Sequence, residues 1–252
     1  MTPMPDFSLK GRTALVTGAG RGIGRAIAEV YAQAGAEVIL CARSADEIGA
    51  LARDLTSNGY RARAVPCDVT DIAAFRAVTE GLDRLDIFVN NAGTNRPRPQ
   101  MEVTEEDFDL VVGLNLRAAF FALQSATRRM KALGRGGSVI NMSSQMGHIG
   151  AENRSLYCAT KWGIEGLTKA TAIELAPLKI RVNTICPTFI ETPLTKPYFE
   201  DQAFHAHCMR MIKIGRLGQV SDIVGAALYL ASDASALMTG TSMLLDGGWT
   251  AE

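Results

Sequence analysis

The 252-residue sequence predicts an α/β protein: one Rossmann-type, doubly wound parallel sheet of about seven strands with helices on both faces. Three observations carry that expectation. Short apolar runs alternate with longer helical segments. The runs are apolar along their length, and a glycine-rich turn follows the first of them. A strand covered on both faces needs no polar side, so continuous apolar runs separated by helices indicate parallel strands joined by crossovers.

In chain order the strand candidates are "TALVTG" (13–18), "AEVILCA" (36–42), "ARAVPC" (62–67), "DIFVNNAG" (86–93), "GSVINMSS" (137–144), "IRVNTICP" (180–187) and "SMLLDGG" (242–248). Helical patterns fall between them at about 22–34, 45–57, 71–80, 104–132, 153–176 and 220–231. Thr104 before "EEDF" reads as an N-cap, and Pro177 ends the segment that closes at Ala176. Right-handed crossovers then complete the doubly wound arrangement. Neither a repeat nor a break in composition divides the chain, so residues 1–252 are expected to form a single domain. One long irregular section, at about 188–218, is expected to be a substrate lid.

Composition narrows the function classes. Hydrophobic residues make up 47% and charged residues 21%, ordinary for a soluble globule with a sizeable core. The formal net charge is zero, which gives no footprint for nucleic acid or an anionic membrane; a small-molecule partner is expected instead. Cys41, Cys67, Cys158, Cys186 and Cys208 show no CxxC spacing and several sit in apolar runs, so they read as reduced core residues of a cytoplasmic protein. The N-terminal "MTPMPDFSLKGR" carries no apolar signal region, and no run approaches the length of a membrane span.

The turn "TGAGRGIG" (17–24) lies between the first strand and the first helix. Its glycines let backbone amides approach a ligand, and the helix behind it offers unpaired N–H groups to a pyrophosphate. The GxGxxG fingerprint fails because Ile23 occupies its last position; the pattern is TGxxxGxG. Gly18, Arg21, Gly22, Ile23 and Gly24 are therefore candidate cofactor contacts. At the end of the second strand an NAD site commonly has a carboxylate, but "VILCARS" offers Ala42 and Arg43. Arg43 and Arg21 could pair with a 2′-phosphate, which favours NADP(H) without excluding NAD(H). The other reading of Arg43 is a solvated residue stacked on adenine.

Together "TGAGRGIG", "NNAG" (90–93), Asn115, Ser144 and "YCATK" (157–161) resemble the short-chain dehydrogenase/reductase family, along essentially the whole chain to the terminal "LLDGGW". The resemblance implies an oxidoreductase, usually a homotetramer. It implies Tyr157 as the catalytic acid/base, Lys161 as its activator, Ser144 as the clamp on the reacting oxygen, and Asn115 as part of a proton relay. It further implies that Asp68 and Val69 border the adenine, and that Asn91, Ala92 and Gly93 line the nicotinamide side. Pro187, Ile190 and Thr192 would meet the carboxamide and phosphates. Thr188 follows Pro187 where the family often has glycine, a departure that sets a hydroxyl near the substrate end.

The chemistry suits these residue types. Hydride transfer to or from a secondary alcohol needs a proton acceptor or donor at the oxygen. Tyrosine, with a pKa of about 10, is a poor base unless a cation favours its phenolate. Lys161, four residues on, lies beside Tyr157 on a helix. Asn115 stands oddly within "VVGLNLRAAFF"; it is either a hydrogen-bonded buried amide or a relay group that needs a local kink or a bound water.

Substrate positions are expected in loops beyond the carboxyl ends of the strands. Those loops supply Asn95, Arg96, Gln145, His148, Asn153 and Arg154, which suit hydroxyls and carboxylates. The favoured substrate is small and polar, a sugar acid or ketodeoxy sugar acid; the region also resembles the family's sugar-acid dehydrogenases. A 3-oxoacyl thioester reductase is the alternative, and a non-catalytic cofactor sensor a more distant one. His205 and His207 with Cys208 lack the spacing and carboxylates of a metal site, so no metal is expected; Met209 and Met211 would close an apolar lid.

Overall fold

The computed structural model describes residues 4–251. Seven parallel strands form one sheet in the order β3-β2-β1-β4-β5-β6-β7. They are β1 (Thr13–Thr17), β2 (Glu37–Ala42), β3 (Arg61–Pro66), β4 (Ile87–Asn90), β5 (Gly137–Met142), β6 (Ile180–Pro187) and β7 (Ser242–Leu245). β1 pairs with β2 on one side and β4 on the other, so the winding reverses between β1 and β4. Loops leave in opposite directions at that reversal and open a crevice above the strands' carboxyl ends.

Burial follows the sequence pattern. β1 and β4 are buried at every residue, whereas the edge strand β3 exposes Arg61 and Arg63 and suits solvent on one face. One face of the sheet is covered by α1 (Gly22–Gln33), α2 (Ala45–Ser57) and α8 (Val220–Ala231), whose Ile27, Tyr31, Ile48, Leu51 and Ile223 pack on β1, β2 and β4. The other face takes α3 (Ile72–Glu80), α5 (Ala119–Leu133) and α6 (Ser155–Leu175) through Phe75, Leu123, Met130 and Ala172. Side-chain caps start several helices: Ser44 accepts from Glu47 N–H, Asp71 from Ala74 N–H, and Thr104 forms a reciprocal box with Asp107.

Two segments differ from the sequence expectation. The helix anticipated at 104–132 is α4 (Glu105–Val112) and α5 joined by a π-helical turn, Gly113–Ala118, with Asn115 inside it. Counted through that turn, Glu105–Leu133 is also long and apolar enough to cross a membrane by length and composition, contrary to the expectation of no such run. Half of its most apolar window is buried within the fold, the place of a core helix. The segment 188–218, expected to be an irregular lid, is not wholly irregular either. It holds α7 (Gln202–Met211), capped by Asp201, over a small core of Met146, Cys158, Phe189, Cys208, Ile212 and Trp249.

Candidate active site

The crevice is a cleft of about 1050 Å³ that runs from the glycine turn to the lid. Gly18, Arg21, Gly22, Ile23, Gly24, Arg43, Asp68, Val69, Asn91, Ala92, Gly93, Pro187, Ile190 and Thr192 all line it, as do Ser144, Gln145, Arg154, Tyr157 and Lys161.

At the glycine turn, Gly18 has φ +64, and a Cβ at Gly24 would collide with the Gly18 carbonyl and the Asn91 amide. Helix α1 therefore comes close enough to aim its N-terminus along the cleft. Thr17 ties this turn to the loop after β4: its hydroxyl donates to the Val89 carbonyl at 3.2 Å and accepts from the N–H groups of Asn91 and Ala92. Asn91 Nδ2 returns a bond to the Thr17 carbonyl at 2.8 Å.

At the far end Arg21 and Arg43 are exposed along the cleft wall. Burial pushes the Asp68 carboxyl up, but bonds from the Thr70 N–H and hydroxyl and the Arg43 charge outweigh it and hold it below its usual range. Sequence reasoning gave Glu47 no role, yet its carboxylate lies against Gly20 and lines the cleft. Its only signal was its place in the first turn of α2.

Toward the other end of the cleft, Lys161 is 6% exposed, and its Nζ donates to the Met142 carbonyl at 2.8 Å and lies 5.4 Å from the Tyr157 ring centre. Burial drives the Lys161 ammonium down to about 8 against the opposing influence of Cys186 and Glu165. Burial likewise pushes the Tyr157 phenol up to about 12, while the Ser144 hydroxyl and Arg154 charge act downward. In this protein alone the phenol is thus an acid; a positive charge bound beside it would favour its phenolate. Ser144 Oγ accepts from the Met146 N–H at 3.2 Å and faces the Pro187 carbonyl at 3.5 Å.

Asn115 is buried behind this site and does not line the cleft. Its Oδ1 accepts from the Thr94 N–H and its Nδ2 donates to the Thr94 carbonyl, both at 2.8 Å. The amide thereby pins the loop that begins at Asn91. The π turn supplies the local kink that a polar residue in this helix needs.

Three expected substrate contacts lie outside the cleft. Arg96 is held by Asp107 at 3.7 Å, a carboxylate that also binds Arg98 at 2.7 Å. Asn153 adopts φ 57 and serves the loop's shape, its carbonyl accepting from Arg98 N–H at 3.1 Å. His148 turns under the site toward Glu165, 3.8 Å away. Arg154 does enter. It is 6% exposed, with its guanidinium 5.1 Å from the Tyr198 ring centre and 5.9 Å from that of Phe204. Among the described residues it has no carboxylate partner. Tyr198 and Phe204 were missed in the sequence because they belong to the lid; "PYFEDQAF" was the signal. Asn95 Oδ1, both ends of the Gln145 amide, and Thr188 Oγ1 are buried along the same cleft without a protein partner among the described residues.

His207 and Cys208 do not gather with carboxylates: His207 Nδ1 meets Arg210 at 3.2 Å and its ring faces Trp249. Among the described residues the one His, Cys and carboxylate group lies at His148, Glu165 and Cys186. Met211 packs in the lid core, and neither it nor Met209 lines the cleft.

Residues 18–250 match the family described as enoyl-(acyl carrier protein) reductase. The sequence is 37% identical to L-xylulose reductase of Bos taurus over 98% of this chain and 99% of that protein. It is 35% identical to gluconate 5-dehydrogenase of Gluconobacter oxydans, over 98% of each chain. A crystal structure of gluconate 5-dehydrogenase from Burkholderia cenocepacia in complex with NADP and tartrate superposes with a TM-score of 0.95 at 34% identity, over 98% of each chain. With the ordered cleft, the Tyr157–Lys161 pair and these likenesses together, the chain belongs to the short-chain dehydrogenase/reductase family, the oxidoreductases that move hydride between a nicotinamide cofactor and a CH–OH group.

Proposed function

We propose that this enzyme oxidises a secondary alcohol of a sugar acid or ketodeoxy sugar acid, or reduces the matching ketone, with NADP(H) preferred over NAD(H). Arg154 carries the reading. A buried guanidinium with no acidic partner among the described residues, beside the reacting phenol, is costly unless a ligand supplies the counter-charge. A carboxylate can take both arms of its fork, which no neutral polyol can. Asn95, Gln145 and Thr188 add unused donors and acceptors suited to hydroxyls. The relatives divide on this point: L-xylulose reductase is named for a neutral sugar, gluconate 5-dehydrogenase for an acid. Arg154 favours the second. Arg43 and Arg21 support NADP(H), and the Burkholderia relative holds that cofactor.

A nicotinamide cofactor bound in the cleft would supply or take up the hydride. Ser144 would hold the substrate oxygen, Tyr157 take or give its proton, and Lys161 favour the phenolate. Two further features belong to the proposal. Exposed Phe108, Phe120, Trp162 and Ile173 on α4, α5 and α6 suit burial in a homotetramer. Five free, buried cysteines suit the reducing cytoplasm.

The test is reduced-nicotinamide formation with NADP and NAD separately, across aldonic acids, ketodeoxy sugar acids and neutral polyols, for the wild type and Arg154→Met. Turnover of an acid whose KM rises about tenfold or more in the variant is expected, as loss of a charge-assisted pair costs ~1.5–3 kcal/mol. Equal use of polyols by both proteins would overturn the acid reading. Silence on all three classes, with NADPH consumed by a 3-oxoacyl thioester, would move the enzyme to that reaction.

A further inference from the structure

Helix α6 carries a third ionisable side chain in register with Tyr157 and Lys161. Glu165 follows Lys161 by the same four-residue step and is 5% exposed. Its oxygens collect donors from two strands. Ser242 Oγ and Thr184 Oγ1 donate to Oε2 at 2.5 and 3.0 Å, and the Cys186 thiol donates to Oε1 at 3.3 Å. The loop after β5 closes the other side: a Cβ on Gly147 would press to 3.0 Å on Glu165 Cγ and on Ser143 Oγ. His148 Nε2 reaches only 3.8 Å from Oε2.

Each of these hydrogen-bond partners can give a proton to the carboxylate, an arrangement that suits an acceptor-only, ionised group. Burying such a charge is unfavourable unless it answers another. The chemistry described above makes no use of it; the cation it can answer at the reacting centre is Lys161, one helical turn back, whose ammonium its charge favours. Cys186, also beside Lys161, does not substitute: burial foremost, and then the charge of Glu165, push its thiol up to about 12, so it is neutral at working pH. The charged and titratable groups around this array are few. α6 supplies Tyr157, Cys158, Lys161 and Glu165, β6 supplies Cys186, and the loop after β5 supplies His148; Arg154 faces Tyr157 and Cys158, and Tyr198 faces Tyr157. β5 offers Lys161 only the Met142 carbonyl, and β7 offers Glu165 only the Ser242 hydroxyl.

We propose that Glu165 is a positioning residue of the reaction: a buried counter-charge, fixed by Thr184, Cys186 and Ser242, that keeps Lys161 an ammonium and through it eases formation of the Tyr157 phenolate. The inference rests on Tyr157 being the proton-transfer group, and its test needs no alcohol substrate. The Tyr157 phenol is titrated by ultraviolet difference absorbance in the NADP-bound enzyme, with Tyr157→Phe subtracted. Glu165→Gln keeps shape and loses charge. Its midpoint should rise by about one unit, the lower end of what a neighbouring charge contributes, while Glu165→Asp returns part of the way. NADP affinity, read by fluorescence, should stay within about twofold, since Glu165 does not line the cleft. A Glu165→Gln midpoint equal to the wild type overturns the proposal. If that variant does not fold, Ser242→Ala decides: it leaves the carboxylate and removes one bond that fixes it, so a smaller upward shift supports the proposal and none overturns it. Failure to find a sugar-acid substrate would leave this titration untouched.

Discussion

Cofactor choice is expected to turn on Arg43, because it and Arg21 are the cations at the end of the cleft where a 2′-phosphate would lie. Two carboxylates share that wall. Asp68 is engaged by Thr70, whereas Glu47 lies exposed over Gly20. Arg43→Asp removes one cation and adds an anion at the position where NAD-binding relatives of this fold place theirs. The NADP-to-NAD ratio of kcat/KM should then fall by about tenfold to a hundredfold, equivalent to losing ~1.5–3 kcal/mol of charged hydrogen bonding. An unchanged ratio would mean that Arg43 stacks on the adenine and reads no phosphate. The opposite substitution of sign, Glu47→Gln, should raise the ratio.

At the scale of elements, the π turn Gly113–Ala118 sets Asn115 where a regular α-helix would not, and both ends of its amide close on one residue of the loop after β4. Asn115→Ala leaves the Thr94 N–H and carbonyl without those partners, at a cost of about 1–3 kcal/mol. The denaturant midpoint should fall accordingly, and NADP affinity with it, since Asn91 to Gly93 belong to the same loop. A midpoint within error of the wild type would show that the loop holds itself. This element also marks where the sequence was legible. The seven strands could be read because each is short, apolar and followed by a turn or a helix, and the glycine turn because its spacing is tied to one backbone geometry. The π turn surfaced only as an asparagine out of place, because a single widened turn spans too few residues to show a period of its own. α7 escaped notice because "QAFHAHCMRM" packs its Cys208 and Met211 on the lid's own small core, which gives no stripe toward the sheet. Arg96, His148 and Asn153 were legible as polar loop residues, but their partners, Asp107, Glu165 and a left-handed backbone turn, are set by tertiary contacts and not by neighbours in sequence.

The whole molecule is a sheet whose strand order reverses between β1 and β4, and both halves of the cleft follow from that reversal. Its core also holds groups that must stay uncharged, and this couples stability to pH. Burial, then neighbouring Cys67 and Asp68, push the Cys41 thiol up to about 12; burial and Glu165 do the same for Cys186. Both side chains are fully buried. An unfolded thiol ionises near about 8.5. Above that pH the native state holds more protons than the unfolded one, so stability falls as pH rises. Lys161 works the other way: its folded value of about 8 lies below the usual lysine range, so between the two the unfolded state binds the extra proton and stability rises. Each group contributes about 1.4 kcal/mol per pH unit within its window. Burial also pushes the Cys208 thiol up to about 11 and raises Cys67 and Cys158, so the thiols outweigh the one lysine and stability falls above about pH 9, after a shallow rise from about pH 8. Tyr31, whose phenol burial also pushes up, steepens the fall beyond about pH 10. Denaturant unfolding of the reduced protein in half-unit steps from pH 7 to about 10.5 measures the curve. In Cys41→Ala the alkaline slope should flatten by about one thiol's share, ~1.4 kcal/mol per unit. A wild-type curve that stays level through pH 10 would mean that these thiols reach solvent before the fold gives way.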